Sequence, residues 1–153
     1  MDIVEYISGD EGKLRDLAKA SRLQIVRLKR LIADPSQPVR YMTARRLSVA
    51  SGGAITMKAM SRRGPMRGEE TFSGPLGQAI AEIASTGPDI PSRLAEAGIA
   101  SDHFTEILLR GRMPSPVRMR AYLEAFAPGL REEHFRRHVE WRRETGGKSG
   151  ADV

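Results

Sequence analysis

Gln24, Arg27, Lys29 and Arg30 lie within seven residues of one another, and they are the side chains best suited to do chemistry in this sequence. That chemistry is recognition. Glutamine can bond bidentately to adenine and arginine to guanine, and either cation can grip a phosphate. The ingredients of catalysis are missing by comparison. Nothing pairs a nucleophile with a base, and Gly52-Gly53 lacks the lysine and hydroxyl residue that complete a phosphate loop. The three histidines are His103, His134 and His138. The last two are four apart on one helix face, a spacing that can bind zinc. No third ligand stands out, since Glu132 or Glu133 would have to turn round. The intervening Phe-Arg-Arg also lacks the glutamate of the zinc-protease pattern. The expectation is a protein that is not an enzyme and uses no metal or cofactor.

The element that must position those four side chains is Leu14 to Ile32, LRDLAKASRLQIVRLKRLI. From Ala18, apolar residues recur at Leu23, Leu28 and Leu31. Two short helices meeting at an angle would bury all four, the first near Lys13–Ala20 and the second near Gln24–Ile32. Small Ala18 lets the helices cross closely. The second helix then leaves Gln24, Ile25, Arg27, Lys29 and Arg30 outside, a basic ridge about the width of a DNA major groove.

This stretch resembles the helix-turn-helix of phage repressors, particularly the small Cro-like kind. Such repressors usually have glycine at the bend, where this chain has Arg22. A left-handed backbone would strain arginine by about 1–2 kcal/mol, so a helical bend is expected instead. The likeness extends through Ala44–Thr56, where a helix runs into Gly52-Gly53 and then Ala54-Ile55-Thr56. In that family the glycine pair turns the chain back so that the short segment can pack or pair with a partner subunit; a plain helix C-cap is the other reading. What the resemblance implies is sequence-specific binding of double-stranded DNA and control of transcription, as repressor or activator. It also implies a homodimer, and contact with RNA polymerase or another regulator.

Composition bounds these expectations. The chain has 153 residues, a net charge of +6 and a pI of about 10.2, which suits a polyanion partner. It lacks cysteine, so disulfides and thiolate metal sites are excluded. The start, MDIVEYISGDEGK, does not read as a signal peptide, and no apolar run approaches the roughly 20 residues of a membrane span. A cytoplasmic, nucleoid-associated protein is expected. Aromatics are only 5%, so the core must be mostly aliphatic and methionine, which favours helices. Charge is uneven: residues 1–70 carry 14 Lys+Arg against 8 Asp+Glu, whereas residues 71–129 carry 5 against 6. The electrostatic grip belongs to the first half.

The first unit is expected over residues 1–60. Asp2 can cap a helix through about Ser8 that is broken by Gly9, Asp10 and Gly12. Pro35 and Pro38 make a loop, with Pro38 in the first turn of the next helix. That helix carries Val39, Met42, Leu47 and Val49 inward, and Arg40 and Arg45 join the candidate DNA contacts, as does Arg22. Residues 61–74, SRRGPMRGEETFSG, read as a basic linker. Its Arg62, Arg63 and Arg67 could touch phosphates or a minor groove, or form a solvated tether.

The second unit, residues 75–128, repeats the architecture. Leu76, Ile80 and Ile83 line a first helix. From Leu94, apolar residues recur at Ile99, Phe104 and Ile107, the same offsets as from Ala18. Gly98 sits at the bend, Ser101 reads as an N-cap, and Arg112–Pro116 mirrors the earlier two-proline loop before a helix over Val117–Phe126. The outer face here is Ala100, Ser101, Asp102, His103, Thr105 and Glu106, with Arg110 and Arg112 at the exit. Ser101, His103, Thr105, Arg110 and Arg112 are candidate contacts if this unit reads bases. The alternative is a degenerate copy kept for assembly or for touching another protein.

Residues 129–145 form a last helix with a narrow apolar strip of Phe135 and Val139, with Leu130, His138 and Trp141 beside it. The strip can pack back on the second unit or join two chains, and the charge split favours joining. Residues 146–153 read as a disordered tail. The fold expected is all-α: two small helix-turn-helix bundles in tandem plus a C-terminal helix. The competing function is a protein-interaction adaptor, or oligomerisation module, whose duplicated fold does not read DNA.

Overall fold

Aspartates set where the first helices begin. Asp2 accepts from the Val4 N–H at 3.0 Å and starts α1 (Ile3–Ile7); Asp10 accepts from Lys13 N–H at 3.1 Å and starts α2 (Glu11–Ser21). The computed structural model describes residues 1–146. Among them are ten α-helices, one 3-10 turn and no β-strand, so the fold is all-α. No helix of the described residues is long and apolar enough to cross a membrane. The chain divides into two units, residues 1–69 with 85–87, and residues 70–84 with those from 88 onward. All of the expected tail except Gly146, the residue capping the last helix, lies outside the described residues.

In the first unit, α3 (Ile25–Ala33), α4 (Tyr41–Ala50) and α5 (Met57–Ser61) follow. Gly12, expected in a break, lies in the first turn of α2, because Asp10 already satisfies a donor there. Pro38 lies outside α4, since Arg40 takes the N-cap position with an extended backbone. Residues Arg40 and Arg67 form an isolated parallel bridge, and Tyr41 N–H donates to the Arg67 carbonyl at 2.8 Å. The segment expected as a linker is thus partly folded onto this unit.

Ile3, Leu28, Leu47, Ile55 and Met60 are fully buried and make the centre of the first core. Leu31 joins them, while Ala18 and Leu23 are half-buried against the cluster. The inward face of α4 departs from expectation. Leu47 is buried as expected, but Val49 is 46% exposed, and Thr43, Ala44 and Arg46 are buried as well. Helix α4 is contacted by both α2 and α5, so its buried surface is wider than one apolar stripe. The Gly52-Gly53 pair has positive φ at both residues and leads Ile55 into the core. The short segment after it bonds within its own chain: the Met1 nitrogen donates to the Ala54 carbonyl at 2.8 Å, and Thr56 N–H to the Met1 carbonyl at 3.2 Å. Thr56 then caps α5, a helix not anticipated, by accepting from Ala59 N–H at 3.1 Å.

The second unit opens with a 3-10 turn (Glu70–Phe72) and continues through α6 (Gly74–Ile83), α7 (Ile90–Glu96), α8 (Ser101–Arg110), α9 (Pro116–Ala125) and α10 (Glu132–Thr145). Phe104, Ile107 and Leu108 face inward from α8, Tyr122 and Phe126 from the α9 region, and Leu76 and Ile80 from α6. Ser101 is the first residue of α8 rather than its cap; Ala100 holds the cap position.

Helix α10 lies mainly against α6. Phe135 is 1% exposed inside the core, and His138 is 1% exposed. Trp141 covers Gly74, where an added Cβ would stand 2.5 Å from the indole. The strip expected to join two chains is therefore largely occupied within its own unit. His138 does more than fill space. Its Nδ1 accepts from Leu76 N–H at 3.4 Å, and its Nε2 lies 2.7 Å from the Leu108 carbonyl. Ser73 makes no side-chain capping bond to α6, so the imidazole caps that helix from a distance in sequence. Only a neutral ring with its proton on Nε2 satisfies both partners. Burial first, with Arg142 adding repulsion, pushes the His138 pKa below its ordinary value against the pull of the Leu108 carbonyl.

Candidate nucleic-acid interface

A helix can present cations to a ligand only if its other side is spent on the core. Helix α3 meets that condition through Leu28, 0% exposed, and Leu31, 5%. Arg27, Lys29 and Arg30 are exposed, and among the described residues none of them makes an ion pair or a side-chain hydrogen bond. Gln24 is exposed too. It caps α3 by backbone geometry alone, leaving its amide free of the helix end.

The ridge differs from expectation in two places. Ile25 is half-buried and packs on the core, so it does not belong to the outer face. Val26 replaces it, 55% exposed. Helical geometry puts Val26 and Arg30 nearest the middle of the outward side, with Arg27 and Lys29 on opposite shoulders. Lys29 accordingly lines a shallow cleft with Ile7, Asp10, Glu11, Leu14 and Ile32.

The turn before α3 overturns the expected helical bend. Arg22 has φ 59° and ψ 26°, a left-handed backbone. The surrounding bonds hold it there. Buried Arg46, 4% exposed, donates from Nε to the Ser21 carbonyl at 2.9 Å, and from Nη2 to the Gly87 carbonyl at 2.7 Å. Ser21 Oγ donates to the Ala18 carbonyl and accepts from Leu23 N–H, both at 3.4 Å. The second unit turns the same way at the same offset, with Gly98 at φ 70°. The residue opening the next helix also matches: Gln24 has φ −65° and ψ 134°, and Ala100 has φ −70° and ψ 138°.

Among the other candidates, Arg63 leaves the set. Its side chain is 2% exposed, and it grips both oxygens of Asp2 at 2.7 Å while donating to the Asp34 and Gln37 carbonyls. Burial opposes charge on Asp2, but the Arg63 bonds and the Val4 N–H outweigh it and hold the carboxyl below its ordinary pKa. Arg40 and Arg62 remain exposed at helix ends, as does Arg67 in its segment. Arg45 is half-buried and lies over the Tyr41 ring, its cation 5.9 Å from the centroid.

The corresponding face of α8 carries no such free cations. Glu106 takes both exit arginines, Arg112 at 3.2 Å and Arg110 at 3.8 Å. His103 Nδ1 lies 2.7 Å from the Tyr122 hydroxyl, and the two rings stack at 5.8 Å. Burial, then Arg118, lowers the His103 pKa, and burial raises that of Tyr122. A neutral imidazole held by a protonated phenol is a structural pair. Ser101, Asp102 and Thr105 stay exposed, one of them an acid. Among the described residues no group of three or more His, Asp or Glu is arranged to hold a metal ion.

No protein-family model matches the chain, and no similar protein was found among curated proteins or solved structures.

Proposed function

We propose that α2, the Arg22 turn and α3 form a helix-turn-helix that reads double-stranded DNA, and that the protein regulates transcription in the manner of phage-type regulators. The observation that carries this reading is the outward side of α3, where Arg27, Lys29 and Arg30 are exposed and, among the described residues, have no side-chain hydrogen bond or ion pair. Arginines already paired within the protein would have to break those pairs before binding a phosphate; these do not. Arg30 and Gln24 have the chemistry for guanine and adenine edges, and Val26 offers an apolar contact for a thymine methyl group. Arg40, Arg62 and Arg67 supply phosphate contacts around them.

The second unit, on this reading, is a related helix-turn-helix that does not read bases. Arg110 of α8 and Arg112 just after it are paired with Glu106, and its histidine with Tyr122. One observation favours a protein contact there: Val117 is 81% exposed, Met113 48% and Leu109 45%, all around the α8–α9 connection. A homodimer remains part of the proposal, because one small reading helix grips little DNA, but its joining surface lies elsewhere than the strip of α10. DNA immunoprecipitation with sequencing tests the reading. Enrichment of a shared short motif near promoters supports it, and uniform recovery of genomic DNA contradicts it.

A further inference from the structure

Arg22 is one of two non-glycine residues with positive φ among the described residues. Its left-handed backbone, φ 59°, is one that a branched or long side chain adopts at a cost. The second unit solves the same turn with Gly98, at φ 70°, for which that cost vanishes. The only other non-glycine residue with positive φ among those described is Ser8, whose hydroxyl bonds to the Glu5 carbonyl and compensates locally. Arg22 has no such return inside the protein. It is exposed, and its guanidinium makes no ion pair or hydrogen bond among the described residues. Its neighbours hold the strain in place, through buried Arg46 on the Ser21 carbonyl and Leu23 N–H on Ser21 Oγ. It also sits two residues before the cap of α3, at the end of the helix that carries Gln24.

We infer that Arg22 is a phosphate-binding residue, strained in the free protein, that anchors the N-terminal end of α3 against the DNA backbone. This rests on the DNA reading above and assigns a distinct role within it: the turn gives up stability to place one cation beside the reading helix. Stability and binding must then move in opposite directions when the residue is changed. Arg22→Gly relieves the strain and removes the charge, whereas Arg22→Lys keeps both.

The test uses the full chain and short random-sequence duplexes, on which binding is carried by phosphates. Two quantities are read: the melting temperature, and the slope of log affinity against log salt. Arg22→Gly should melt higher, by a shift on the order of 4 °C for a unit of this size. It should also lose about 0.9 from the magnitude of the salt slope, the share of one phosphate contact. Arg22→Lys should match the wild type in both. An unchanged slope in Arg22→Gly, alongside a reduced slope in Arg27→Ala/Arg30→Ala, overturns the assignment and leaves the DNA reading standing. A melting temperature below wild type in Arg22→Gly overturns the strain argument. Absence of salt-dependent binding by the wild type overturns the DNA reading itself, and the assignment with it.

Discussion

Mild acid should destabilise the second unit through one buried side chain. His138 is 1% exposed and bridges α6 to α8, taking Leu76 N–H on Nδ1 and facing the Leu108 carbonyl with Nε2. A second proton would set an N–H against the Leu76 N–H and place a charge beside Arg142, which already donates to Leu108 at 3.1 Å. The folded pKa therefore lies below the ordinary 6.5, where the unfolded chain titrates. Between those two values the unfolded state holds more protons than the folded one, so stability is full above the unfolded pKa and declines as pH falls. The slope approaches ~1.4 kcal/mol per pH unit until the folded pKa is reached. His103, also lowered by burial, adds in the same direction. Urea unfolding at steps from about pH 7.5 to about pH 5 measures this. Trp141, the single tryptophan, reports it, since its ring lies 5.3 Å from that of His138. His138→Gln keeps a donor and an acceptor but does not titrate, so its curve should be flatter than that of the wild type. Equal slopes in the two proteins, or a flat wild-type curve, would refute the reasoning.

The two cores and the Asp2–Arg63 clamp give further tests. Leu28 and Phe104 lie in the cores of the two units and are 0% and 6% exposed; each change to alanine should cost about 2–5 kcal/mol, with its own unit melting first in calorimetry. Retention of both transitions in both variants would mean that the inner faces are misassigned. Arg63→Met should destabilise the first unit by about 2–4 kcal/mol, somewhat under a fully enclosed pair because the Asp2 side chain keeps 18% exposure. In the wild type this pair holds the Asp2 pKa down, so its contribution is present above pH 3.8 and lost on further acidification; chemical denaturation across that range should show a smaller acid loss in Arg63→Met.

Local periodicity makes α3 and α8 legible in the sequence. Leu28, Leu31, Phe104 and Ile107 recur at helical spacing, and each helix packs mainly through one side, so spacing alone separates inside from outside. The same reasoning failed on α4, which is covered from more than one direction and buries Thr43 and Arg46 while exposing Val49. Arg63 looked like a linker cation because its partner, Asp2, is 61 residues away in sequence, and only the tertiary fold brings them together. The five residues of α5 carry too little pattern to stand out; a threonine cap and the burial of Met60 make them helical. Propensity argued against a left-handed Arg22, and tertiary bonds from Arg46 overrode it. The histidine pair on α10 suggested a metal spacing, yet His138 points into the core, where both its nitrogens have backbone partners, and His134 Nδ1 accepts from Arg131 N–H.

The central claim is that α3 meets DNA through its outward cations. Its most direct test is a fluorescence-anisotropy titration of wild type and Arg27→Ala/Arg30→Ala on the duplex that the wild type selects from a random pool. Both side chains are exposed and, among the described residues, unpaired, so the double variant should keep its helical circular-dichroism spectrum and melting temperature. Its binding should weaken by about 1–3 kcal/mol for each arginine that reads a base, seen as a rise in Kd. A folded double variant with the Kd of the wild type would contradict the claim.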